Sequence, residues 1–252
     1  MTALLPLAEN CPESRVFPGN PSRIRCIAFD AVGTLIQPVP PAAEAYHLAA
    51  QRHGSRLSSD EIARRFRRAF RETEKGDLSD PGRSRLATSD SAERERWRAI
   101  VTAVIDDIPD PGRCFDELFE HFARPESWRC FDDVPVALDR LRRTGMHLVL
   151  ASNFDGRLHG VCDGIPAMRS LTCRVISAEV GYRKPSPRFF EALLAAAGCR
   201  ADELLMVGDD RENDWEGARQ AGIEAVLLNR RGGCGPQEIA GLSELTQWVE
   251  GG

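Results

Sequence analysis

The sequence predicts an α/β fold in which a mostly parallel sheet is covered by helices on both faces and a helical domain is inserted after the first strand. Between residues 133 and 228, short apolar runs alternate with helical patterns, an order typical of parallel sheets. One more β-type run precedes them at 24–29. The interval from that run to the next strand, at 146, is too long for a simple crossover and therefore predicts an insertion.

The inserted segment has helical periodicity. In its second helix, Ile62, Phe66 and Phe70 share one stripe and arginines occupy the opposite side, as expected for a helix with one buried face. Four helices are predicted, at 44–50, 60–74, 93–105 and 115–122. Turns rich in proline and glycine separate them, so we expect a small helical bundle.

The remaining strands and helices alternate. Strands are predicted at 146–151, 174–177, 204–207 and 223–228. Helices fill the intervals, including one predicted at 212–221, and they end at Gly145, Gly198 and Gly222, since glycine favours helix C-termini.

These elements divide the chain into three predicted parts. Residues 1–22 contain several prolines and no periodic pattern, so we expect an irregular arm there. Residues 23–37 and 128–252 are expected to form the sheet-containing core. Residues 38–127 are expected to form the helical insertion.

Composition and charge exclude several classes of function. The net charge of −5 gives no reason to expect binding to nucleic acid or to a membrane surface. The apolar stretches are far shorter than the ~20 residues that cross a bilayer. The first 20 residues lack the basic start and apolar core of a secretory signal. We therefore expect a cytoplasmic protein, and composition predicts no oligomeric state.

The eight cysteines are scattered, and none of them form a C-x-x-C pair. In a chain of this length, that spacing predicts neither a disulfide framework nor a zinc site. Reduced thiols fit the expected compartment.

Polar residues follow the predicted strands where chemistry is expected. Asp30 ends the first strand, Ser152 and Asn153 end the second, and Asp209 with Asp210 follows the strand at 204–207. Taken singly, each is more typical of a turn or a helix cap. Because ligands of parallel sheets bind beyond the carboxyl ends of the strands, we expect these side chains to meet.

Lys184 and Asp214 complete the set. Only two of the 33 basic residues are lysines, so a lysine before the Pro185 turn indicates a need for a compact positive charge. Carboxylates at 209, 210 and 214 repel one another unless a cation is present, and hard oxygen ligands suit Mg²⁺. A carboxylate nucleophile, a hydroxyl, an ammonium and a metal loop would suit attack on phosphorus.

This order of motifs resembles the haloacid dehalogenase-like hydrolase superfamily over nearly the whole chain. The resemblance implies a Rossmann-like core with a helical cap inserted after the first strand. It implies that Asp30 is the nucleophile, that Ser152 binds the transferred group with Asn153 beside it, and that Lys184 neutralises the negative charge. The segments 43–46, 66–70 and 152–158 resemble one branch of the family more closely.

The resemblance also implies a Mg²⁺ site. Its ligands would be the Asp30 carboxylate, the Val32 carbonyl and Asp209, with Asp214 orienting the metal waters and Asp210 as a possible extra ligand.

The sequence departs from the family at Val32. Family phosphatases carry a second Asp at that position, which protonates the leaving group and then activates water. Valine can do neither, and such help is worth about 10²–10⁴-fold. The proton shuttle is therefore either missing or supplied by another residue, for which Glu44, Tyr46 and His47 are the candidates.

Other interpretations remain open. Metal-independent 2-haloacid dehalogenases of the family also lack the second Asp, although they typically carry Ser where Asp209 stands here. Phosphonatases have a small residue at the Val32 position but need a cap lysine, for which Lys75 is the candidate, in a polar setting. A degenerate protein that binds a phosphoryl ligand or a partner is the non-enzyme interpretation. We expect a Mg²⁺-dependent phosphatase that acts slowly on a small phosphorylated molecule.

Overall fold

The computed structural model describes residues 17, 20–78, 86–232, 235 and 237–251, and for 75–78 it describes the backbone alone. The predicted arm at 1–22 lies mostly outside the described residues. Residues 79–82, which form one of the predicted turns between the cap helices, and the side chain of Lys75 also lie outside the described residues.

Eight strands and ten α-helices make up the described chain. The strands are β1 Cys26–Phe29, β2 Ile36–Pro38, β3 Trp128–Cys130, β4 His147–Ser152, β5 Cys173–Ile176, β6 Leu204–Gly208, β7 Glu224–Leu228 and β8 Glu238–Ile239. The α-helices are α1 Ala42–Arg52, α2 Ser59–Leu78, α3 Asp90–Val104, α4 Pro111–His121, α5 Val134–Arg143, α6 Arg157–Gly164, α7 Ser177–Val180, α8 Pro187–Ala197, α9 Gly217–Gln220 and α10 Leu242–Glu250.

Six strands form one parallel sheet in the order β5-β4-β1-β6-β7-β8. β1 lies between β4 and β6, and Phe29 pairs with both Leu150 and Val207. The carboxyl ends of these three strands are therefore side by side, which brings the residues that follow them to one edge of the sheet.

The sheet is buried on both faces. Ile27 and Phe29 of β1 pack into one apolar core with Leu138 of α5. Cys26 and Ala28, which point the other way because side chains alternate along a strand, pack into a second core with residues of α8 and α9. Two faces covered by helices are what the alternating sequence pattern predicted.

The insertion begins and ends at a two-stranded ribbon. β2 and β3 pair antiparallel, with Pro38 opposite Trp128. The four helices between them, α1 to α4, enclose an apolar cluster of their own that includes Tyr46, Ile100 and Phe115. The predicted fold class, an α/β core with an inserted helical cap, is confirmed. The division into parts at 38 and 127 stays a prediction.

The helix predicted at 212–221 is present at 211–220, but its first half is not α-helical. Arg211–Glu216 is a π-helix, and only Gly217–Gln220 is α-helical. The wider turn arises because the Trp215 N–H donates to the Asp210 carbonyl, five residues earlier, at 3.3 Å. Such turns are frequent at functional sites.

Within the described residues, none of the helices combines the length and the apolar character that crossing a membrane requires.

Candidate active site

Asp30 lies just past the end of β1 and is nearly buried, with 8% of its surface exposed. Its Oδ1 accepts hydrogen bonds from Lys184 Nζ at 2.8 Å and from Ser152 Oγ at 3.2 Å. Three sites predicted from separate parts of the sequence therefore meet. Both hydrogen bonds fall on Oδ1, so the other carboxylate oxygen is the one placed to attack an electrophile.

Lys184 is the charge centre of the site. Its buried ammonium donates to Asp30, to Asp214 Oδ1 at 2.6 Å and to the Ala151 carbonyl at 2.8 Å. Burial alone would lower the pKa of Lys184, but the two carboxylates outweigh burial and raise the pKa above its usual range. Lys184 therefore stays charged.

Asn153 lines the cavity and also holds Lys184 in place. Its Oδ1 accepts from the Lys184 backbone N–H at 2.8 Å, and its Nδ2 donates to the Lys184 carbonyl at 3.1 Å. This two-point contact joins the end of β4 to the loop that carries the lysine.

Three carboxylates converge beside the lysine. Oxygens of Asp30, Asp209 and Asp214 lie within 4.8 Å of one another. Asp209 Oδ1 accepts from Thr34 Oγ1 at 3.1 Å, and Asp214 Oδ2 accepts from the Asp210 backbone N–H at 3.1 Å. These bonds orient the Asp209 and Asp214 carboxylates.

The electrostatics of this cluster favour a bound cation. Burial, followed by the negative charge of Asp30, raises the pKa of Asp209 to about 7. Burial also raises the pKa of Asp214 to about 7, against the opposing effect of Lys184. Asp209 is open to the cavity above it, but the surrounding protein still limits its hydration. A divalent cation bound by hard oxygen ligands would relieve both shifts, so the donor set fits Mg²⁺.

Two glycines make room for the carboxylates. A Cβ at Gly33, where φ is +92°, would lie 2.2 Å from Asp209 Oδ2. A Cβ at Gly208 would lie 2.1 Å from Asp214 Oδ2. Both contacts are far below van der Waals distance, so any larger residue would displace a carboxylate of the cluster.

Asp210 and Val32 differ in how they relate to this cluster. The Asp210 carboxylate is not among the three converging groups; its Oδ1 accepts from the backbone N–H groups of Glu212 and Asn213 and so caps the π-helix. Val32 lines the cavity and is 36% exposed. Both remain predicted metal residues.

The candidates for a replacement proton shuttle are separated by the structure. Tyr46 lines the cavity, whereas Glu44 and His47 are not among the lining residues. Burial raises the pKa of the Tyr46 phenol above its usual range. The phenol therefore stays protonated and cannot act as a base, and the raised pKa also makes it a weak proton donor.

A cavity of about 380 Å³ lies over the carboxylates. The catalytic candidates Asp30, Ser152 and Lys184 are among its lining residues. Helices α2, α3 and α4 supply ten of the other lining residues, so the insertion covers the site. This volume is within the range of small-molecule sites and exceeds what a phosphate ion alone needs.

A protein family described as haloacid dehalogenase-like hydrolase matches residues 24–222 of this sequence. The chain belongs to the haloacid dehalogenase-like hydrolases. The match begins before β1 and ends after α9, so it includes each motif of the site and the whole insertion.

Among curated relatives, this hydrolase is similar to human haloacid dehalogenase-like hydrolase domain-containing protein 3, with 28% identity over 86% of this chain and 84% of that protein. That is the branch indicated by the local segments of the sequence, which is confirmed. It is also similar to a phosphoserine phosphatase of Thermus thermophilus, with 32% identity over 60% of this chain and 61% of that protein.

Solved structures agree on the fold. The putative hydrolase YfnB from Bacillus subtilis, solved bound to magnesium, has a TM-score of 0.74 at 17% identity, covering 90% of this chain and 99% of that chain. The L-2-haloacid dehalogenase from Xanthobacter autotrophicus has a TM-score of 0.67 at 17% identity with the same coverage. Phosphatase and dehalogenase chemistry therefore both occur among proteins of similar fold or sequence.

Sequence reasoning missed the ion pairs that connect the insertion to the lysine loop. Arg183 Nη2 lies 2.9 Å from Glu74 Oε1, and Arg96 Nη2 lies 2.6 Å from the same oxygen. The backbone N–H of Arg183 also donates to the Leu86 carbonyl at 2.8 Å. The only sequence signal for these contacts is that Arg183 precedes Lys184, because partners so distant in sequence have no local pattern.

Proposed function

We propose that this hydrolase is a Mg²⁺-dependent phosphatase in which Asp30 attacks the phosphorus of a small phosphorylated molecule. The observation that carries the proposal is the convergence of Asp30, Asp209 and Asp214 within 4.8 Å beside the buried ammonium of Lys184. A metal-free reaction has no use for the two extra carboxylates, which cost free energy when buried with like charges nearby.

Each residue has a role that follows from its contacts. Asp209, Asp214 and one oxygen of Asp30 would hold Mg²⁺, which when bound supplies positive charge at the phosphoryl oxygens. Lys184 places a positive charge 2.8 Å from Asp30 Oδ1 and would neutralise negative charge on the transferred group. Ser152 Oγ, now 3.2 Å from Asp30, would turn its hydrogen to a phosphoryl oxygen. Asn153 is a positioning residue for Lys184.

The reaction proceeds in two steps. A carboxylate oxygen of Asp30 forms a bond to phosphorus as the bond to the leaving oxygen breaks, which gives an aspartyl phosphate. Water then attacks phosphorus and frees Asp30. Val32 can donate no proton to the leaving oxygen and can remove none from water. The first step therefore depends on leaving-group acidity and on a proton from Tyr46 or solvent, and the second step depends on solvent to take the proton of the attacking water.

Features outside the geometry support the proposal. The Thermus relative is named a phosphoserine phosphatase, and YfnB was solved bound to magnesium. We also propose a cytoplasmic location and small-molecule partners, because the six described cysteines are unpaired and the net charge is −5.

Turnover of p-nitrophenyl phosphate with Mg²⁺, and after removal of metal with EDTA, tests the proposal. We expect phosphate release that is lost with EDTA and restored by added Mg²⁺. Halide release from 2-chloropropionate that EDTA does not affect would instead identify a dehalogenase. Tight binding of phosphate or vanadate with no turnover of either substrate would identify a degenerate binding protein.

The affinity for Mg²⁺ should rise with pH up to about neutrality. Since the pKa values of Asp209 and Asp214 lie near 7 without metal, Mg²⁺ must displace protons below that pH. The affinity should rise about tenfold per pH unit for each proton displaced between pH 5.5 and 7, and level off above about 7.5. Calorimetric titrations at four pH values measure this, and a flat profile would contradict the raised values.

The raised pKa values of Asp209 and Asp214 should also make the stability of the metal-free protein depend on pH. The folded protein retains these protons between pH 3.8 and about 7, where the unfolded chain has lost them, so metal-free stability should fall as pH rises through that window. Urea unfolding with and without Mg²⁺ should therefore show a stabilisation by the ion that grows with pH.

Gly33→Ala should weaken Mg²⁺ binding about 10- to 100-fold, the range for residues that orient a metal ligand, because the new Cβ would displace Asp209. Gly54→Ala is the matched control. Gly54 has φ of +91°, against +92° at Gly33, but nothing lies within 4 Å of the position that an added methyl group would take. Both variants should lose about 1–2 kcal/mol because alanine disfavours the left-handed backbone, and only Gly33→Ala should lose metal. Equal Mg²⁺ affinities in calorimetry would contradict the proposed ligand role of Asp209.

A further inference from the structure

The wall of the cavity is unusually rich in aromatic side chains. Phe66 and Phe70 come from α2, Trp97 from α3, and Phe119 from α4. Their rings are neighbours: Phe66 and Phe70 have centroids 6.2 Å apart, and so do Phe70 and Trp97. Phe66, Phe70 and Trp97 therefore form one apolar surface that lines the cavity, which we call the aromatic wall. The Phe119 ring is instead covered by the Arg157 guanidinium, which lies 3.5 Å from the ring centroid.

These residues are not simply the packed centre of the helical bundle. Phe70 has 37% of its surface exposed, and Phe66 and Trp97 are only partly buried. The bundle centre is formed instead by fully buried residues such as Ile100. Aromatic faces left open to water in a concave site are typical of a surface that a ligand covers.

The arginines of the same cavity are already paired with carboxylates. Arg96 and Arg183 both contact Glu74 Oε1, at 2.6 and 2.9 Å. Glu93 Oε1 also lies 3.6 Å from Arg183 Nε. Arg157 Nη2 lies 2.7 Å from Asp155 Oδ2. A substrate with a second anionic group, such as a carboxylate, would have to compete with these carboxylates for each arginine. The wall therefore favours a ligand whose only charge is the phosphoryl group.

We propose that the substrate of this site carries an uncharged, apolar, ring-bearing group, which lies on the aromatic wall while its phosphoryl group reaches Asp30. This inference rests on the proposed phosphatase function for the phosphoryl end, and it adds the chemistry of the other end. Ring stacking and burial on Phe70 and Trp97 supply the affinity, and the neutralised arginines exclude small amino-acid or hydroxy-acid phosphates.

Binding of two phosphonates that differ only in the ring tests the inference without requiring turnover. 2-Phenylethylphosphonate and ethylphosphonate present the same head group to Mg²⁺-loaded protein. Burying a phenyl ring should make the first bind about 10- to 100-fold more tightly in calorimetry. O-phosphoserine, as a competitor, should bind no better than ethylphosphonate. Equal affinities for the two phosphonates would overturn the inference.

Substitutions in the wall locate the preference. Phe70→Ala, at an exposed position, and Trp97→Ala should each weaken 2-phenylethylphosphonate binding about tenfold and leave ethylphosphonate binding unchanged. Leu48→Ala is the control, because Leu48 is also exposed, at 40%, on the same insertion but is not among the cavity-lining residues. A role for the wall would be contradicted if Phe70→Ala and Trp97→Ala weakened the binding of both phosphonates equally. It would also be contradicted if Leu48→Ala weakened 2-phenylethylphosphonate binding as much as they do.

The two proposals fail separately. If p-nitrophenyl phosphate is not hydrolysed but the ring preference holds and maps to Phe70, the phosphatase function fails and the ligand class stands. If hydrolysis is efficient but ethylphosphonate and phenylethylphosphonate inhibit it equally, the function stands and the ligand class is wrong.

Discussion

Asp30→Asn should lower the turnover of p-nitrophenyl phosphate by at least about 10³-fold, as expected for removal of a nucleophile. The variant should nevertheless fold. The Asn amide oxygen can accept the hydrogen bonds that Lys184 Nζ and Ser152 Oγ now donate to Asp30 Oδ1. The lost property is the negative charge that makes the oxygen a nucleophile.

Three measurements make this result interpretable. Circular dichroism and urea unfolding establish that Asp30→Asn is folded, and Asp132→Asn, at an exposed position outside the cavity lining, controls for the chemistry of the substitution. Residual activity within about tenfold of the wild type, a barrier change near 1.4 kcal/mol, would mean that another group attacks phosphorus.

Val32→Asp should raise the turnover of alkyl phosphates by about 10²-fold or more, because it restores a proton donor for a poor leaving group. The position admits a carboxylate, since Val32 is 36% exposed and faces the cavity. Nearby Asp30 and Asp209 would raise the pKa of the new carboxyl group, which suits a general acid. Aryl phosphates, whose leaving groups depart without a proton, should gain much less.

Val32→Asn is the matched control, because it has the same shape and polarity but cannot transfer the proton. Rates with ethyl phosphate and with p-nitrophenyl phosphate should be compared for wild type and both variants. If the wild type already hydrolyses ethyl phosphate rapidly and Val32→Asp brings no gain, another residue supplies the proton. Tyr46→Phe then identifies or excludes the one shuttle candidate that lines the cavity.

The meeting of Asp30, Ser152 and Asp209 could be predicted from the sequence. Each follows an apolar run, and parallel strands put the residues that follow them at one edge. The neighbouring positions of β4, β1 and β6 in the sheet then bring the three together. Lys184 follows no strand, and its position was indicated by its rarity and by the family resemblance.

Side-chain direction is what the sequence could not provide. Nothing local distinguishes Asp210, which caps a π-helix, from Asp214, which contacts Lys184. Which of the two carboxylates contacts Lys184 depends on the π-helical turn at Arg211–Glu216. Hydrogen bonds between residues five apart leave no sequence pattern comparable to the apolar stripe of an α-helix. β8 was missed for a simpler reason, since two residues are too few to show a period.

The aromatic wall shows a further limit of periodicity. The stripe of Ile62, Phe66 and Phe70 predicted a helix surface that packs on its neighbours. A packed face and the wall of a cavity need the same apolar residues, so the pattern alone cannot separate them. The structure separates the two cases, because α2, α3 and α4 leave a cavity between themselves and the edge of the sheet.

Isolation of a phosphorylated Asp30 is the most direct test of the central claim, that this carboxylate attacks phosphorus. The enzyme is mixed with Mg²⁺ and p-nitrophenyl phosphate, quenched in acid within milliseconds, reduced with borohydride and digested with trypsin. The peptide 26–52 contains one aspartate, Asp30, so its mass assigns the site. Since Val32 cannot activate water for the second step, we expect the adduct to accumulate on this peptide during turnover and to be absent in Asp30→Asn. Continued phosphate release with peptide 26–52 unmodified at every quench time would contradict the account.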